Sequence, residues 1–239
     1  MADTDPWIRP PDHRVWGSGD ATITLVLPPF PDRSEGFPAH DPAAARRFAE
    51  DFGTIDAVLE ELTPLSPVDP VVLETRTDLD VVRVGCWGNV IALADPALAD
   101  NGDAHPVREQ VRALAERYPG ARIVGSAHVD TGETHAEDAV VVPGAPALHS
   151  AGWSGEEPWT LTGDVWAVLD ALGITPEAVE EEDVEIDEDP RFTEWEGVSR
   201  LAQGPCRPWG RKELRMSVFR VRHTEAATRR MEEIWLPEG

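Results

Sequence analysis

Apolar and polar positions alternate with a period of two over 21–27, where Thr22 and Thr24 interleave with Ile23, Leu25 and Leu27. That is the pattern of a half-buried strand, and Pro28-Pro29 stops it. Asp41-Pro42 supplies a cap followed by a proline in the first turn, which predicts a helix over 43–51. Ile55, Val58, Leu59 and Leu62 fall on one helical stripe and predict a second, short helix over 54–62. A proline-rich connector over 64–70 precedes two strands, 79–84 and 90–93, about the turn Gly85-Cys86-Trp87-Gly88-Asn89. Pro106 opens the clearest helix of the chain, with Val107, Val111, Leu114, Ala115 and Tyr118 on one face and Gly120 closing it.

The second half opens on a hairpin over 122–142 and a short strand over 159–162. A helix over 164–172 ends at Gly173, and Thr175-Pro176 starts another helical turn. A strand over 214–222 leads to a terminal helix capped by Thr224, whose Ala227, Met231, Ile234 and Trp235 share a face. Helices and strands alternate too irregularly for a doubly wound parallel sheet. The expected class is α+β, with mostly antiparallel sheets and amphipathic helices. The segments 53–62 and 163–172 share their glycine, the triplet Ala-Val-Leu and the closing leucine. This likeness points to a duplicated strand-helix-strand-helix unit, with an N-terminal half over 1–120 and a C-terminal half over 121–239 that pack together or stand apart. Chance recurrence of a common amphipathic pattern explains the match equally well.

Chemistry concentrates in the hairpin. A two-residue turn at Thr131-Gly132 pairs His128 with His135 and sets Ser126, His128, Asp130, Glu133, His135 and Glu137 on one face. Two imidazoles flanked by carboxylates suit a divalent metal, with His128, His135, Asp130 and Glu137 as candidate ligands. His149 is a candidate third imidazole that nothing in the sequence positions. The plainer reading is a solvated hairpin tip. Asp130-Thr131-Gly132 also matches the aspartic-protease tripeptide, but only one copy is present and the residues are ordinary turn formers. Cys86 and Cys206 are too few for a disulfide framework and suit a reducing cytoplasm; Cys86 in a tight turn is a nucleophile candidate, set against the commoner buried thiol. No dinucleotide, P-loop, serine-hydrolase or zincin signature is present, so the chain is expected to be non-enzymatic.

Charge adds a second theme. The 239 residues carry a formal net charge of −24, with Lys212 the sole lysine. Such a surface repels the phosphates of double-stranded nucleic acid and favours a basic protein partner. The 177–189 stretch alone holds nine acids, whereas 200–230 holds nine of the 21 basic residues. Arg207, Arg211, Lys212 and Arg215 with Trp209 form a candidate surface for an anion or a partner. The simpler alternative is that the two blocks neutralise one another within the fold. No apolar run reaches membrane-spanning length, and the N-terminus lacks the basic start and apolar stretch of a signal peptide. Nine tryptophans, Trp7 and Trp16 among them, are available as anchors at binding surfaces.

The runs 16–30 (WGSGDATITLVLPPF), 84–90 (VGCWGNV) and 221–225 (VRHTE) resemble an uncharacterised family of acidic, tryptophan-rich actinobacterial proteins of unknown function. The resemblance covers most of the chain and implies a bacterial cytoplasmic protein without supplying an activity. In acidity and tryptophan usage alone the chain is also similar to immunity proteins of bacterial toxin systems. The sequence therefore leads to an expectation of an acidic, inhibitor- or immunity-like protein that binds another macromolecule. The alternative is a metal-dependent enzyme or metal-binding protein built on the His128/His135 hairpin.

Overall fold

A single antiparallel sheet organises the chain in the computed structural model, which describes residues 9–31, 36–70, 72–100 and 102–236. Its strands are β1 (Ser18–Val26), β2 (Ile55–Leu65), β3 (Val81–Trp87), β4 (Val90–Ala94), β5 (Arg122–Asp130), β6 (Thr134–Val141), β7 (Leu148–Trp153), β8 (Thr160–Thr162) and β9 (Met216–His223). They lie in the order β2-β9-β3-β4-β1-β5-β6-β7-β8. Strands from both halves of the sequence thus share one sheet, with β9 inserted between β2 and β3. The α+β class expected from the pattern is the class observed.

Helices cover both faces. On one face, α1 (Pro42–Glu50) and α2 (Pro106–Arg117) bury Phe48, Val107, Val111 and Leu114 against Ile23, Leu93, Ile123 and Phe219. Each such side chain contributes roughly 1.5–3 kcal/mol by leaving water. On the other face, α3 (Val165–Ala171), α4 (Pro176–Glu181) and α5 (Trp195–Gln203) pack Val168, Val179, Trp195 and Val198 onto Val124, Val140 and Leu148. The terminal helix α6 (Glu225–Trp235) brings Met231 and Trp235 against Leu79 and Val129. A fourth cluster gathers Trp87, Val90, Leu214 and Met216.

Local signals explain most of the elements. Asp41 caps α1 through its Oδ1, which accepts from the Ala44 amide at 2.9 Å. Thr224 caps α6 in the same way. Gly125 in β5 lets α2 approach the sheet: a Cβ there would stand 2.5 Å from Val107 Cγ1 and 2.9 Å from Val111 Cγ2.

The helix expected over 54–62 is instead the strand β2. Its pairing with β9 shifts register at Ile55/Ala57, Val58/Glu60 and Leu62/Leu65. Each irregularity resets the two-residue alternation, so the apolar positions fall three or four apart and imitate a helix. The 53–62 and 163–172 segments, alike in sequence, are therefore a strand and a helix. Strand β7 and helix α5 have no counterpart among the elements expected from the pattern. Trp7 lies outside the described residues.

A buried ionic network ties β9, the end of β4 and α6 together. Asp95 accepts from Thr54 Oγ1 at 2.5 Å, from the Ala97 amide at 2.8 Å and from His223 Nε2 at 3.0 Å. His223 Nδ1 faces Asp80 at 3.7 Å, and Arg76 bridges Asp80 and Glu232. Burial by itself would lower the His223 pKa, but the Asp95 and Asp80 carboxylates outweigh it and push it up to about 9. A histidine with a folded pKa above its unfolded value stabilises the fold fully below about pH 6.5 and loses that contribution as pH rises through its folded pKa. The unfolding free energy read from urea titrations should therefore fall between pH 6.5 and pH 9, by an amount on the order of 3 kcal/mol. His223→Gln should flatten that slope; a variant whose pH profile parallels the parent's removes this assignment.

Candidate metal centre and polar cleft

The β5–β6 hairpin has a three-residue loop, Thr131-Gly132-Glu133, in place of the expected two-residue turn. Gly132 adopts a positive φ of 104°, its amide bonds Asp130 Oδ1 at 2.9 Å, and the Thr131 amide donates to the Glu133 carbonyl. The register is accordingly Val129 opposite His135, His128 opposite Ala136 and Ser126 opposite Asp138. A slip of one residue moves a whole strand's side chains to the other face. His128 and His135 do not face one another, and the expected His128, His135, Asp130 and Glu137 ligand set is not assembled. Asp130 is spent on the loop.

On the α2 side the slip builds a different cluster. Glu137 is fully buried opposite Ala127 and Ala151, directly below the start of α2. That helix lacks a side-chain cap of its own: its N-cap residue, His105, is in the left-handed region (φ 51°, ψ 55°) and makes no capping bond. Glu137 does this work from the sheet, accepting from the Val107 amide at 3.1 Å and the Arg108 amide at 2.9 Å. The carboxylate thus compensates the helix's positive end.

Two imidazoles close over the same carboxylate. His149 Nε2 lies 3.2 Å from Glu137 Oε1, and the His105 ring packs edge-on against His149 at 5.0 Å. The ligating atoms of His105, Glu137 and His149 all fall within 4.8 Å of one another. His105 Nδ1 sits 3.1 Å from Asp100 Oδ2, out of line for a hydrogen bond, while Asp100 holds the turn by accepting from the Ala104 and His105 amides. His135 flanks the group, its ring 5.1 Å from that of Trp153. His149 Nδ1 and His135 Nε2 are buried without hydrogen-bond partners. Burial holds the His135 pKa below its ordinary value against the pull of Asp100. Two imidazoles and a carboxylate are a donor set for a borderline divalent ion such as zinc or ferrous iron.

The opposite face carries a polar row across the middle of the sheet. Arg83, Ala94, Thr22, Ser126, Asp138 and Ser150 are successive cross-strand neighbours. One row away, Asp20 of β1 sits opposite His128. His128 Nε2 is 3.3 Å from Asp138 Oδ2, and Ser199 of α5 donates to Asp138 Oδ1 at 2.9 Å. Burial disfavours the charged form of His128, but Asp138, Asp20 and Glu196 more than offset it and raise its pKa. Burial likewise raises the pKa of Asp20, with the His128 charge opposing. Ser126 Oγ and Asp138 both approach the same His128 nitrogen, so this is not the relay of a serine hydrolase.

The basic candidates divide. Arg207 and Trp209 line a cleft above this row. Trp209 donates from Nε1 to Thr24 Oγ1 at 2.9 Å. Arg211 stacks on Phe37 and binds the Arg207 and Pro205 carbonyls, while Arg215 donates to the Lys212 and Leu214 carbonyls. Arg211 and Arg215 are thus engaged with the chain itself, and the Lys212 side chain is exposed. Cys86 and Cys206 are both buried, and burial pushes the Cys86 thiol up to about 12.

Sequence reasoning missed His105 and Asp100 altogether. The positive φ of His105, immediately before a helix-opening proline, is a feature of the backbone that no residue pattern announces. Among the described residues no helix is long and apolar enough to cross a membrane.

This architecture is an α+β protein with one antiparallel sheet between helical layers and a histidine–carboxylate cluster at a helix start. The sequence profile of DUF6333, a family of unknown function, matches residues 6–238, and the chain belongs to that family. No curated protein and no solved structure matches it.

Two outcomes follow from this geometry. Glu137→Ala leaves the Val107 and Arg108 amides without their acceptor and should cost about 1–3 kcal/mol for each, with faster hydrogen exchange at the start of α2. Exchange there that is unchanged refutes the capping role. Both cysteines should resist an aromatic disulfide reagent at neutral pH until denaturant is added; rapid labelling of the folded protein contradicts their burial.

Proposed function

We propose that this protein binds a divalent transition-metal ion through His105, Glu137 and His149. The observation that carries the reading is the convergence of three ligating groups within 4.8 Å from three separate parts of the chain. His105 precedes α2, Glu137 lies on β6 and His149 on β7. The 3.2 Å between His149 Nε2 and Glu137 Oε1 is close to the spacing of about 3.4 Å between two ligands of a tetrahedral ion at about 2.1 Å. Asp100 stands 3.1 Å from His105 Nδ1 and adds negative charge beside the cluster. Three protein ligands leave a coordination position open, where such an ion can polarise a bound water or carbonyl.

The competing reading is an acidic protein that docks a basic macromolecule. Its support is the exposed carboxylates around Glu180, Glu181, Glu182 and Asp183. Val179, Val184 and Ile186 anchor that stretch to the core. Those acids are exposed to solvent, whereas the histidine cluster brings three ligating groups together from separate elements.

The test is titration of chelator-treated protein with zinc, cobalt and ferrous iron, read by calorimetry and thermal unfolding. Binding should raise the unfolding temperature by mass action, and cobalt should show the visible absorption of a low-coordinate site. His105→Ala and His149→Ala should each weaken binding by roughly a hundredfold or more, beyond the 10–100-fold typical of outer-shell changes. His128→Ala, on the other face, should leave it unchanged. No stabilisation by any of the three metals, or equal loss in the His128 variant, removes the proposal.

A further inference from the structure

The cleft on the α5 face is independent of the histidine cluster, and its construction is unusual for the middle of a sheet. A sheet floor under a helix is ordinarily apolar, because neither face of the contact can hydrate its polar groups. Here the floor is Thr22, Ser126, His128 and Arg83, with the exposed Asp20 at the mouth. The wall above it is also polar. Glu196, Ser199, Arg200 and Gln203 follow the i, i+3, i+4, i+7 spacing of one helical face and line the same cleft, while Trp195, Val198 and Ala202 take the core-facing positions. Two polar surfaces facing each other across a cavity of about 270 Å³ mark a place where a polar ligand replaces water.

The groups present define what that ligand carries. Gln203 is 5% exposed, and its Oε1 is buried with no hydrogen-bond partner. That atom is closed off from the cleft, so a ligand meets the other groups of the lining. Asp20 and Glu196 bring carboxylates to the cleft, and Glu196 makes a loose contact of 3.9 Å to Arg207. Arg200 and Arg207 bring guanidiniums; Arg200 is anchored through the Glu182 carbonyl at 3.2 Å. Charges of both signs share one small cavity, and an anion or a cation alone would satisfy half of them and face repulsion from the rest. The volume admits roughly ten to fifteen heavy atoms, at about 20 Å³ each, below the usual span of drug-sized pockets.

We propose that this cleft binds a small zwitterion of the amino-acid class, with its ammonium group at Asp20 and Glu196 and its anionic group at Arg200 and Arg207. Trp209 also lines the cleft, its indole N–H tied to Thr24 and its ring packed in part against the Trp87 and Met216 cluster.

The experiment is a thermal-shift and calorimetric screen of the full chain against the twenty protein amino acids. For each hit, the N-acetyl derivative and the carboxamide are run beside the parent compound, with glucose and glycerol as polyol probes. At least one free amino acid should stabilise the protein. Removing either its ammonium or its carboxylate charge should weaken binding tenfold or more. Asp20→Asn at the cleft mouth should cost tenfold or more in affinity without loss of fold. His149→Ala should bind the amino acid as the parent does, which separates this site from the metal centre. No amino acid hit, N-acetyl forms that bind as well as their parents, or polyol binding in place of amino-acid binding each overturns the proposal.

Discussion

The three-residue loop at 131–133 decides which side chains of β6 face which helical layer, and most of the chemistry follows from that choice. With Val129 opposite His135, the strand sends Glu137 under α2 and Asp138 under α5. The two adjacent acids serve opposite faces of the sheet. A loop one residue shorter would bring Asp138 beneath the helix start and put Glu137 among the serines of the cleft. Neither the helix cap nor the histidine cluster would then exist.

Glu137 shows how a buried carboxylate is tolerated. An isolated charge in the interior is strongly disfavoured, and this one has two backbone amides, a helix dipole and an imidazole arranged around it. The arrangement resembles an N-cap supplied by a different element, and it locks α2 to β6 across 30 residues of sequence. Close packing at Gly125 brings the helix near enough for those amides to reach. The same economy appears at Asp95, where three donors converge on one buried carboxylate at the end of β4.

The sheet is covered on both faces, so its two polar sites are separated by the sheet itself. One is nearly closed and rich in imidazole; the other is open, mixed in charge and lined by hydroxyls. Acidic residues dominate the rest of the surface. The basic residues near the C-terminus are largely engaged in local structure, as Arg211 and Arg215 illustrate through their bonds to neighbouring carbonyls.

Caps and strong periodicity made α1, α2, α3, α6 and β1 legible from the residues alone, because those signals act within a few positions of the chain. So did the existence of the hairpin over 122–142 and the α+β class. The bulged strand β2 read as a helix because its irregular pairing with β9, more than 150 residues away, resets the alternation that would have revealed it. The hairpin register was also beyond the sequence: with both faces buried, the apolar alternation that pins a one-sided strand is weak, and Val129 or His135 could face either layer. The meeting of His105, Glu137 and His149, and of Asp20 with α5, depends on long-range strand order and helix placement. Local chemistry determined which segments could form; only the packing of both helical layers onto one sheet decided which side chains meet.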